Sequence, residues 1–181
     1  IHVTHDQDEA LEMADKIAVI RKGRIIQFGT PREVFEDPAT PFVANFVGRS
    51  NVIVGRVVES TPEGTIVETQ SGMRFPARPS DLAVGDEAVL TVKVGFTKIT
   101  RMQEGQPSAV CMGTIERILY EGVTVTVEIA VEGVGLLSAK LPNRKYEDYS
   151  PGDSVGVYWM PEKASVFPMP PEGIEDEMRL D

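Results

Sequence analysis

Val123-Thr124-Val125-Thr126-Val127-Glu128-Ile129-Ala130-Val131 alternates apolar and polar positions almost without a break. A period of two puts Val123, Val125, Val127, Ile129 and Val131 on one face of an extended chain. That is the pattern of a strand with one buried side. Glu121-Gly122 precedes this stretch and Glu132-Gly133 follows it, and both read as turns. Upstream, Ala88, Leu90, Val92 and Val94 alternate with Val89, Thr91 and Lys93. Further turn signals stand at Pro62-Glu63-Gly64, Ser71-Gly72, Gly85-Asp86 and Pro151-Gly152-Asp153. Many short strands at this spacing predict an all-β barrel or sandwich from Asn51 onward.

The β region also repeats itself loosely. One copy runs from Gly55-Arg56-Val57-Val58 through Gly85-Asp86 to Phe96-Thr97-Lys98-Ile99, the other from Gly113-Thr114-Ile115-Glu116 through Gly152-Asp153 to Glu162-Lys163-Ala164-Ser165-Val166. Two small related barrels satisfy this pattern, and so does one merged barrel. After residue 168 an acidic tail follows, which reads as a solvated end.

Residues 1–49 have a different character, mixed helix and strand. Ile1-His2-Val3-Thr4 reads as the end of a buried strand. Asp6 caps a helix, with Glu9 three residues on. Ala10, Leu11 and Ala14 give that helix an apolar face. Lys16 to Ile20 and Ile25 to Phe28 flank a Lys22-Gly23 turn, a hairpin pattern. Thr30-Pro31-Arg32-Glu33 holds a cap, a first-turn proline and a reciprocal capping acid. Thr40-Pro41 repeats the start signal, Phe42, Val43, Phe46 and Val47 supply a stripe, and Gly48 closes the helix.

The 181 residues carry 18 Lys and Arg against 28 Asp and Glu, a net charge of −10. Such acidity argues against non-specific nucleic-acid binding, which needs clustered cations. No apolar run approaches a membrane-spanning length. The single Cys111 excludes an intramolecular disulfide and a cysteine zinc site, and only His2 and His5 are present, so no metal site is expected. The start has no basic region followed by an apolar run, so no signal peptide is read there. A first residue of Ile1 inside an element reads as an excerpt of a longer protein.

Val3-Thr4-His5-Asp6-Gln7-Asp8-Glu9-Ala10-Leu11, Ala14-Asp15-Lys16-Ile17-Ala18-Val19 and Gly23-Arg24-Ile25 resemble the end of the nucleotide-binding subunit of ATP-binding cassette (ABC) importers. Gly29-Thr30-Pro31-Arg32-Glu33-Val34-Phe35 and Phe42 to Gly48 resemble the linker of the subgroup serving spermidine/putrescine, maltose-type sugars and ferric iron. The resemblance implies a mainly β fold: an OB-like barrel domain of the transport-associated (TOBE) type over 50–168, preceded by an α/β fragment of the nucleotide-binding domain over 1–49. It makes His5 the switch histidine facing the γ-phosphate of ATP in the complete ATPase. A neutral imidazole there can hydrogen-bond a phosphate oxygen or the attacking water. The plainer reading of His5 is a polar residue in a strand-to-helix turn. The complete protein would use ATP and Mg²⁺, form a homodimer through the β domain, and sit on membrane permease subunits at the cytoplasmic face. The Gly-rich phosphate loop, the signature loop and the Mg²⁺-holding strand end are missing from these residues, so this stretch alone is expected to hold no cofactor and to hydrolyse nothing. A second departure is Val92-Lys93-Val94-Gly95, where the family commonly has Arg-Pro-Glu; Met160-Pro161-Glu162 keeps an echo of it.

A different class of function stays open: an OB-like sensor of an oxyanion or of the transported solute. Lys140, Arg144 and Lys145 supply adjacent positive charge for it, although a solvated basic loop is the favoured explanation, because short charge runs are usually surface. Over residues 50–181 there are 20 acids against 12 bases, which disfavours a general anion trap. The same balance disfavours a nucleic-acid groove built on Tyr146, Tyr149, Tyr158 and Trp159. Cys111 reads as a buried, inert thiol.

Overall fold

The computed structural model describes residues 1–101 and 110–179, apart from the side chains of 145–147. It is mainly β. The N-terminal unit begins with α1 (Gln7–Met13), capped by Asp6, whose side chain accepts from the Glu9 amide at 3.0 Å. β1 (Ile17–Arg21) and β2 (Arg24–Gly29) form an antiparallel hairpin. Its turn places Lys22 at φ 48° and Gly23 at φ 71°, the left-handed pair that tight hairpins need. α2 (Pro31–Glu36) has a complete capping box: Glu33 N–H donates to Thr30 Oγ1, and Thr30 N–H donates to Glu33 Oε2 at 2.7 Å. The Thr30 amide and hydroxyl, both donating to Glu33 Oε2, hold the Glu33 carboxyl below its ordinary pKa. α3 (Pro41–Phe46) is capped by Thr40. Val19, Val34, Phe42, Val43 and Val47 form the small core of this unit.

The β region contains β3 (Ser50–Thr61), β4 (Gly64–Glu68), β5 (Arg74–Ala77), β6 (Glu87–Lys93), β7 (Lys98–Thr100), β8 (Cys111–Tyr120), β9 (Thr124–Val131), β10 (Gly135–Pro142), β11 (Ser154–Tyr158) and β12 (Ala164–Pro168). They make two five-stranded antiparallel sheets, ordered β12-β6-β3-β4-β5 and β10-β9-β8-β11-β7. Each sheet is rounded towards a barrel. Arg78 N–H, just past β5, donates to Ala164 O of β12 at 3.1 Å, and Lys140 N–H of β10 donates to Val94 O, in the segment that leads from β6 into β7, at 3.2 Å. The pattern is the OB-like arrangement expected of the sequence.

The repeat is real at the level of single hydrogen bonds. Val57 N–H donates to Asp86 O and Gly85 N–H to Val57 O, at 2.9 and 2.8 Å; Ile115 with Asp153 and Gly152 repeats this at the same distances. Both long strands carry a register shift there, between Val57 and Glu59 and between Ile115 and Arg117. Gly55 and Gly113 are needed for close approach. A Cβ would lie 2.4 Å from Glu68 O at the first and 2.7 Å from Ala130 O at the second.

The two copies are interlocked. β7, from the first copy, pairs with β11 of the second, and β12, from the second, pairs with β6 of the first. Each barrel therefore takes its fifth strand from the other. One continuous core results, with Ile53, Phe75 and Leu90 alongside Ile115, Ile129 and Leu137. Trp159 stacks on Phe75, ring centroids 5.8 Å apart, and its indole N–H donates to Pro76 O at 2.9 Å.

Four details differ from the sequence reading. Ile1–Thr4 is not a strand; Ile1 and Val3 are exposed, with no paired neighbour among the described residues. Val123 is exposed because it belongs to the turn at Gly122, and only Val125 onward is buried. β6 is buried on both faces, because α3 packs on the side carrying Val89, Thr91 and Lys93. The acidic tail is docked: α4 (Ile174–Glu177) buries Glu177 against Arg21 of β1.

Candidate functional site

His5 lies exposed in the bend immediately before the Asp6 cap. His2 Nε2, nearby, donates to Glu9 Oε2 at 3.2 Å, and a hydrogen bond from Thr4 together with this one lowers the Glu9 pKa. The local geometry thus presents an imidazole at the start of a short helix, open to a ligand or to a facing surface.

The junction between the N-terminal unit and the β region is the other place where polar groups converge. Lys93, 6% exposed, leaves β6 and donates to Ala44 O at 2.5 Å and to Val47 O, the carbonyls at the end of α3. The ammonium also sits 4.8 Å from the Phe35 ring centre. It fills the role of a cation at a helix C-terminus. Burial pushes its pKa from 10.5 down to about 8. Arg78 adds a second tie, donating to Asp37 Oδ1 at 2.5 Å and to Glu36 O at 3.3 Å. Between these ties is a cavity of about 90 Å³ lined by Thr91, Lys93, Ser165, Arg78 and Lys163, with Glu36, Asp37 and Glu162 at its wall. Thr91 and Ser165 are 3% and 6% exposed.

The basic group read from sequence is only partly assembled as a charged site. Lys140 pairs with Glu121 at 3.0 Å, and that hydrogen bond leads the causes that lower the Glu121 pKa. Arg144 is exposed in a 3-10 turn over Asn143–Asp148, and the Lys145 side chain lies outside the described residues. Cys111 is buried, and burial raises its pKa to about 11, as an inert thiol requires. Three residues at joints carry roles that sequence reading passed over. Lys93 looked like one polar position of an alternating strand. Arg21 ended a hairpin strand. Asn51 merely opened the β region, yet its amide bridges Thr97 Oγ1 and Ser138 O, at 2.9 and 2.8 Å, and accepts from Ser138 N–H at 2.7 Å.

Comparison with known proteins places this architecture. The TOBE domain family matches residues 78–167. A spermidine/putrescine import ATP-binding protein PotA of Marinobacter nauticus is 34% identical over 184 aligned residues, spanning 100% of this chain and 49% of the relative. The proteins of that name in Haemophilus influenzae and Nitratidesulfovibrio vulgaris are 36% and 32% identical, over 88% of this chain and 44% and 45% of theirs. The chain belongs to the ABC importer ATP-binding subunits and matches their C-terminal region. It spans about half the length of the relatives it matches. Among solved structures, the molybdate-bound cytoplasmic protein ModG superposes with a TM-score of 0.59 at 18% identity, over 64% of this chain and 94% of that one. At that identity the likeness concerns the fold alone. No described helix of this importer-subunit region is long and apolar enough to cross a membrane.

Proposed function

We propose that this chain is the regulatory and dimerising part of an importer ATPase, in which ATP hydrolysis in the complete subunit drives uptake of a solute of the spermidine/putrescine class through membrane permease subunits at the cytoplasmic face. The observation that carries the reading is the match of the whole chain, from the His5 segment to the tail, to subunits named for that import. In this reading residues 1–49 finish the nucleotide-binding domain, 50–168 form the TOBE domain, and 169–181 are the tail. His5 faces the γ-phosphate in the assembled ATPase, with ATP and Mg²⁺ held by residues outside this stretch. Exposed Met112 and Leu136 on one sheet, and Val54 on the other, offer apolar outer surface for a second copy.

Two measurements test this. In the complete subunit, His5→Ala is expected to remove ATP turnover while nucleotide binding persists; full turnover in that variant overturns the switch role. Sedimentation of this chain is expected to show a concentration-dependent dimer that Leu136→Lys weakens, and a monomer at every concentration overturns dimerisation. A second reading, sensing of a small oxyanion, is supported by the junction cavity with its Thr91 and Ser165 hydroxyls beside Lys93 and Lys163. Saturable thermal stabilisation by molybdate or sulfate, lost in Ser165→Ala, supports it. A flat titration removes it.

A further inference from the structure

The acidic tail reaches the N-terminal unit through one residue. Arg21 is the last residue of β1, and its side chain is only 9% exposed. Its Nη1 meets Glu177 Oε2 at 2.5 Å and Glu172 Oε1 at 3.6 Å, and its Nη2 donates to Asp176 O at 2.7 Å. The guanidinium carbon stands 4.7 Å from the centre of the Phe42 ring in α3. One planar cation therefore joins three elements: the hairpin, the linker helix and the tail. The fork geometry of arginine suits this, because its donors lie in one plane and the flat face remains free to stack. Glu177 is equally buried, with a side chain 9% exposed. The tail itself continues directly from β12: Met169 N–H donates to Glu87 O at 3.2 Å before the chain turns at Gly173.

We propose that residues 169–179 are a strap that fixes the β1–β2 hairpin and α3 onto the β domain, with Glu177 on Arg21 as its fastening. The inference rests on the reading that residues 1–49 end the nucleotide-binding domain; on that reading the strap sets how the regulatory domain is carried by the ATPase. The fastening is built to open. Arg21 Nε is buried without a hydrogen-bond partner, so the closed state leaves one donor unsatisfied that water satisfies once the tail leaves. Neither residue belongs to the core shared by the two barrels, so release does not require either barrel to unfold.

Hydrogen exchange of this chain tests the strap. Glu177→Gln keeps the shape and removes the charge, and truncation after Pro170 removes the strap without touching β12. Both are expected to speed exchange of hairpin and α3 amides at least tenfold while β9 amides stay unchanged. Unchanged hairpin exchange in both variants overturns the strap, and faster exchange throughout the chain does so as well, because the tail would then be part of the common fold. In the complete subunit, Glu177→Gln is expected to change ATP turnover at unchanged nucleotide affinity. Hairpin release with unaltered turnover overturns the control of the ATPase and leaves the importer reading standing.

Discussion

Replacing Lys93 with methionine should change the pH dependence of stability in a defined direction. Lys93 is buried against α3, and desolvation moves its pKa from 10.5 to about 8. Below pH 8 both the folded and the unfolded chain carry the proton, and the folded chain bears the whole penalty of burying it. As pH rises from about 8 to 10.5 the folded chain has released the proton while the unfolded chain still holds it. The unfolded state then binds more protons, so stability rises with pH through that window. The shift from 10.5 to about 8 corresponds to about 3 kcal/mol. Lys93→Met has no such term. It also strips the ammonium from Ala44 O and Val47 O, which moves its whole curve vertically without altering the slope. Urea unfolding followed by Trp159 fluorescence, at intervals from pH 7 to 11, measures both. Other titrating groups cancel in the difference between the two proteins. The wild type is expected to gain about 3 kcal/mol on the variant across the window. Parallel curves would refute the reasoning, because they would mean that the α3 carbonyls stabilise the charged lysine as fully as water does.

Gly113→Ala would force a Cβ to within 2.5 Å of Ile129 Cγ2 and 2.7 Å of Ala130 O, so a loss of about 1–3 kcal/mol is expected in the same urea assay; Gly55→Ala, facing Glu68 O at 2.4 Å, should behave alike. Asn51→Ala removes three buried hydrogen bonds, two of them between the two copies, and leaves Ser138 N–H and O unpaired, with an expected loss of about 2–4 kcal/mol. Cys111, with its pKa raised to about 11, should react with a thiol reagent only as the chain unfolds; fast reaction at neutral pH without denaturant would contradict its burial.

Local chemistry was the legible part of the sequence. Thr30-Pro31-Arg32-Glu33 announced α2 because a capping box is complete within four residues. The alternation around Val127 announced β9, and the paired Gly-Asp turns announced the repeat, since both are signals of short range. The strand exchange was not legible. β7 and β12 satisfy the same pattern whether they return to their own copy or cross to the other, and pairing choice depends on contacts distant in sequence. The same limit applies to the sites. His5 stood out through its flanking residues, whereas Lys93 and Arg21 acquire their roles only from Ala44, Val47, Phe42 and Glu177, which nothing in the local pattern connects to them.

The exchanged fifth strands impose a timetable on biosynthesis. β6 leaves the ribosome with one edge bare, and its partner β12 is made only after β7 to β11. At on the order of 5–20 residues per second, that edge waits several seconds for its mate. The nascent first barrel is therefore a half-built product with an adhesive margin, and a premature stop before Ala164 would leave it so permanently.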